Sequence, residues 1–155
     1  MYTTLKTTII TILFLSGLNL VAQQRYTCEN GTVRFASEAS LETIKASSEG
    51  LKGILDPDTD RFAFRVFIRT FTGFNSPLQQ EHFNENYLES ANFENAVFEG
   101  RIVDQLDYEK PGEYPIRAKG IMSIHGVRNE EIIPCTVEVK REGLLITAHF
   151  SELGK

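Results

Sequence analysis

The stretch that decides the fold is RFAFRVFIRTF, Arg61 to Phe71. Phe62, Phe64, Val66 and Ile68 make an unbroken apolar row, while Arg65 and Arg69 fall on the other face. Side chains of an extended chain alternate faces with a period of two, so this segment reads as a β-strand covered on one side only. The same period recurs further along the chain. Ala96, Phe98, Gly100 and Ile102 stand against Glu99 and Arg101, and Tyr114, Ile116, Ala118, Gly120, Met122 and Ile124 against Arg117, Lys119, Ser123 and His125. Ile133, Cys135, Val137 and Val139 then oppose Thr136, Glu138 and Lys140, and Leu144, Ile146, Ala148 and Phe150 close the series. Less regular strands are expected around residues 26 to 35, 41 to 46 and 51 to 55.

Turn-forming residues separate these runs: Asn30-Gly31, Asp56-Pro57-Asp58, Lys110-Pro111-Gly112, His125-Gly126 and Glu142-Gly143. Such short connections favour antiparallel neighbours. The pattern predicts an all-β chain of about eight strands, for which a meander closed into a barrel or a sandwich hides the sheet edges. One segment departs from it. Ser76-Pro77 opens SPLQQEHFNENYL with a capping hydroxyl and a first-turn proline, which predicts one short helix at about residues 77 to 89, lying across one end of the barrel.

Composition bounds the function. The chain has 155 residues, one domain's worth, with 16 basic against 21 acidic side chains and a net charge of -5. The positive field that gathers nucleic acid is missing. Two cysteines, Cys28 and Cys135, exclude a multi-disulfide scaffold and a four-thiolate metal site. In residues 1 to 22 a single Lys6 precedes an apolar run from Thr7 to Ala22, the layout of a cleaved secretory signal peptide. The run is 16 residues long, short of the roughly 20 that span a bilayer. The expectation is an exported chain, periplasmic or secreted, whose mature domain covers residues 23 to 155 without stable membrane insertion. Export would permit a Cys28–Cys135 bridge; two separately buried thiols are the alternative.

Four stretches taken together, GTVRFASEASLETIKA at 31 to 46, HFNENYLES at 82 to 90, AVFEGRI at 96 to 102 and IMSIHGVRNEEIIP at 121 to 134, resemble the YceI-like family of exported proteins. The resemblance implies a single antiparallel lipocalin-like barrel whose apolar cavity holds a polyisoprenoid chain, such as a quinone tail. Members of that family continue beyond the strand ending at Phe150, so the last strand of the barrel is expected to be missing here. An open edge of that kind would invite a homodimer by strand addition. Asn92-Phe93-Glu94-Asn95 replaces a Tyr-Pro pair of the family, and Phe93 is expected to take the aromatic's place. On this reading the cavity is lined by Phe62, Phe64, Val66, Ile68, Phe98, Ile102, Ile116, Met122, Ile124, Val137, Val139, Leu144, Ile146 and Phe150. Without the resemblance, the same residues read as packed core.

The polar residues give little chemistry. His82 and Glu85 stand three apart on the expected helix and could share a face, but a catalytic zinc takes three protein ligands, and His125 and His149 belong to distant strands. His125 is expected to face outward beside a turn, and His149 to lie on the surface. No nucleophile elbow or phosphate-cradling glycine loop occurs. The leading expectation is a non-catalytic lipid binder without a cofactor. A solid-core interaction module is the alternative, and a His82-centred metal enzyme the third reading.

Overall fold

Seven antiparallel strands in simple sequential order form the sheet of this computed structural model, which describes residues 24–38 and 43–151. They are β1 (Tyr26–Glu38), β2 (Thr43–Asp56), β3 (Arg61–Phe67), β4 (Asn95–Ile102), β5 (Gly112–Ile124), β6 (Val127–Lys140) and β7 (Gly143–Ala148). A short helix α1 (Pro77–His82) runs into a wide π-type turn, Phe83–Tyr87. The segment read as a signal peptide, and its boundary at residue 22, lie outside the described residues. Among the described residues no helix is long and apolar enough to cross a membrane.

The strands curl into a nearly closed barrel of the lipocalin-like type, with α1 at one end. The register shows how the alternation becomes an inside and an outside. Phe62↔Gly100, Phe64↔Phe98 and Val66↔Ala96 pair across β3 and β4, and Phe98↔Met122 and Ile102↔Ala118 pair across β4 and β5. Even positions of β3, β4 and β5 therefore share the inner face. Across β5 and β6 the parity changes, so Ile133, Cys135, Val137 and Val139 face in.

Three local expectations are corrected. Among the described residues the sheet has seven strands, because 43 to 46 and 51 to 55, expected as two strands, belong to one. Ser48 Oγ accepts from Gly50 N at 3.0 Å and lies 2.6 Å from Thr70 Oγ1, so the polar stretch between them stays extended rather than turning. Asn30-Gly31 is not a turn but an irregularity inside β1, where the register slips between Cys28 and Gly31 and again before Val33. Gly31 fits because a side chain there would press on Cys28 and Leu51. The strand from Arg61 ends at Phe67, and Ile68–Thr70 forms a 3-10 turn that keeps Ile68 buried.

β4 and β5 approach closely at a facing pair of glycines. Gly100 faces Gly120 there, and a Cβ on either would overlap the other strand's backbone, at the Lys119 or Glu99 carbonyl oxygen. Glycine kinks of this kind let a small sheet curl on itself.

Candidate ligand-binding interior

The inner face carries two apolar clusters rather than one continuous core. At the end away from α1, Leu55, Phe62, Ile102, Ile116, Ala118, Val137 and Val139 pack together, with Phe64, Phe98, Leu144 and Ile146 partly buried against them. At the α1 end, Ala46, Val66, Ile68, Phe71 and Phe83 form the second cluster, with Val33, Leu51, Phe74, Leu88 and Ala96 around it. Burying apolar area at about 25 cal/mol per Å² makes both clusters the main source of cohesion.

The far end is closed by the loop of residues 103 to 111. Leu106 and Tyr108 pack on the first cluster. Tyr108 donates to Asp60 Oδ1 at 2.8 Å and stacks on Tyr26 with ring centroids 5.9 Å apart. Burial, and then the Asp60 carboxylate, push the Tyr108 phenol above its ordinary value. The loop is held from outside by Arg117, whose backbone N–H, Nε and Nη2 donate to the Asp104 carboxylate at 2.7, 3.0 and 2.8 Å. These bonds hold the Asp104 carboxyl below the usual carboxylate range.

The α1 end is closed by the helix and its π-type turn. Ser76 Oγ accepts from Gln79 N at 3.1 Å, the cap its place before a proline announces. Phe83, 4% exposed, points into the barrel end and meets the rings of Phe35, Phe71 and Phe74. The segment after the turn is tied to the β5–β6 hairpin by His125 and Glu89. His125 is a hairpin turn residue at φ 50, and its partly exposed ring reaches beyond the turn to the segment after the helix. Phe93 stands edge-on against that ring and covers Gly126.

Of the fourteen residues expected to line a cavity, Phe62, Phe64, Phe98, Ile102, Ile116, Val137, Val139, Leu144 and Ile146 belong to the far cluster, and Val66 and Ile68 to the α1-end cluster. Met122 and Ile124 share the inner face but belong to neither; they are half-buried. Phe150 lies beyond the end of β7 and is 44% exposed. Sequence reading missed the aromatic plug of Phe35, Phe71, Phe74 and Phe83, because Phe35 and Phe71 fell at the ends of separate expected strands and Phe74 and Phe83 in polar segments without a periodic signal. It also missed two polar inner positions. Asn129 pairs with Met122 and Glu131 with Gly120, which puts both on the same face as Ile133.

Cys28 and Cys135 are free thiols on β1 and β6. Burial raises the Cys135 thiol above its ordinary value. Among the described residues no three acidic, His or Cys side chains converge as a metal site. A cavity of about 600 Å³ lies outside the barrel, between α1 and the segment that follows it. Most of its lining residues, among them Arg69, Gln80, Glu81, Asn84, Glu85 and Glu89, are polar or charged, with Pro77 and Ala91 between them.

The fold thus defines a lipocalin-like antiparallel barrel with an apolar, end-capped interior. It is similar to the solved structure of a polyisoprenoid binding domain from Saccharophagus degradans implicated in plant cell wall breakdown, with a TM-score of 0.59 and 10% sequence identity over 74% of this chain and 67% of that one. No protein-family model and no curated protein matches the chain.

Proposed function

We propose that this chain is an exported, non-catalytic carrier of the YceI-like kind that holds an isoprenoid chain, such as the tail of a quinone, inside its barrel. The observation that carries this reading is the half-buried inner row between the two clusters. Met122 and Ile124 face inward outside both clusters and remain half-buried, as do Phe64 and Phe98 at the edge of the far cluster, whereas Phe62, Val137, Val66 and Phe83 are buried. The likeness to a polyisoprenoid binding domain supports the same ligand class at the level of the fold. A slender hydrocarbon burying roughly 500 Å² would gain on the order of 12 kcal/mol, enough to exceed the costs of association without a tightly read headgroup.

The test is native mass spectrometry and organic extraction of the full chain from its host. A co-purifying prenyl lipid is expected, lost in Met122→Asp, which sets a charge on the inner row, with circular dichroism to confirm folding. Protein that is folded but lipid-free, and takes up no prenyl lipid when offered it, would overturn the reading. Export rests on the first 22 residues and is tested separately, by fractionation and N-terminal sequencing of the mature protein.

The alternative, a solid-core module acting through its surface, is favoured by Val137 and its neighbours, which are sealed in the far cluster. It predicts a barrel that excludes lipid throughout.

A further inference from the structure

β6 is 14 residues long, but β7 is only 6, and their ladder stops at Cys135↔Ala148. Pro134 explains the stop. A proline has no N–H, so in an antiparallel ladder it can occupy only a pair that makes no hydrogen bonds. Pro134 is paired with Arg117 of β5, so its backbone is directed to the β7 side, where the next rung would need the donor it lacks. The two-residue hairpin of His125 and Gly126 fixes the same phase, because Ile124↔Val127 closes it as a hydrogen-bonded pair. By that alternation Arg128, Glu130 and Ile132 also direct their N–H and C=O groups away from β5. No strand meets them there among the described residues. Among the described residues they form an open edge.

We propose that this edge pairs with the same edge of a second copy of this chain, antiparallel about a twofold axis at Asn129. Hydrogen-bonded rungs must match even positions with even positions, which leaves few registers. An axis at Arg128 or Glu130 sets like charges on themselves, and an axis at Glu131 does so on the inner face. An axis at Ile132 puts Pro134 on a rung without a donor. The axis at Asn129 sets Arg128 opposite Glu130 of the second copy, twice by symmetry, and sets the two Asn129 amides face to face. Arg128 and Glu130 are exposed, and their present partners, Glu99 at 3.6 Å and Lys119 at 3.2 Å, are surface ion pairs cheaply exchanged. Cross-strand opposite charges stabilise a sheet and set its register. A contact made chiefly through one short strand pair falls in the weak, transient class, so the dimer is expected to be reversible and concentration-dependent.

Sedimentation velocity of the full chain over a concentration series tests this independently of any bound lipid. The wild type is expected to dimerise, R128E and E130R each to be monomeric, and the double variant R128E/E130R to dimerise again. In a background with Cys28 and Cys135 replaced by Ala, N129C should cross-link to itself on oxidation, because facing residues of a non-hydrogen-bonded pair sit about 4.5 Å apart at Cα, within disulfide reach. A wild type that stays monomeric at every concentration overturns the proposal. So does a dimer indifferent to charge reversal at both positions.

Discussion

His125 Nε2 lies 2.6 Å from Glu89 Oε2, and both residues hold left-handed backbone, at φ 50 and 44. Two non-glycine residues in that region are costly, so the bond that joins them also fixes the hairpin and the segment after α1 in place. His125→Ala is expected to lower stability by about 1–3 kcal/mol in urea titration and to speed exchange of a bound prenyl lipid. His125→Asn, whose side chain tolerates the left-handed region, should recover part of the stability but not the slow exchange. Equal exchange in all three proteins would show that the helical end is not the way in.

Gly53 lies flat under the Phe64 ring, where any Cβ would overlap the ring carbons. Gly53→Ala is therefore expected to cost about 1–3 kcal/mol by overpacking. Combined with Phe64→Leu the cost should fall well below the sum of the two single changes, a coupling that a double-mutant cycle reads directly.

Tyr108 supplies a pH dependence. Its phenol is raised in the fold, so the proton is held more tightly folded than unfolded. That contribution is whole below about pH 10, the unfolded value, and is lost as pH rises above it. At neutral pH, Tyr108→Phe should cost about 1 kcal/mol for the lost bond to Asp60. In alkali the gap between variant and wild type should close, as thermal melts across that range will show.

Cys135 reports on the interior. Burial raises its thiol, which leaves little reactive thiolate at neutral pH. Alkylation by iodoacetamide should be slower than in the denatured chain, and slower again once a prenyl lipid is loaded. Labelling unaffected by the lipid would place the ligand elsewhere.

The barrel was legible because covered strands print a period of two, and the runs at Phe62, Phe98, Ile116 and Val137 are long enough to show it. The helix start was legible from Ser76-Pro77, since caps are local chemistry. What escaped was set by the other side of the molecule. Residues 47 to 50 read as a break because the Ser48 hydroxyl bonds to Thr70 and the Ser47 backbone to Thr72, partners that sequence cannot bring near. The bond made by His125 was not legible because its partner, Glu89, is 36 positions away. The Phe83 plug sat in a polar helix whose single apolar contact point makes no periodic signal.

The facing pair Gly100 and Gly120 sets how closely β4 and β5 approach. With a methyl group on either residue, β4 and β5 would have to move apart, the circumference would widen, and the gap beside β1 would grow. Girth in this small protein is therefore governed by two missing carbon atoms on the side of the wall opposite the open seam, and a change there would be felt where the ring of strands fails to meet.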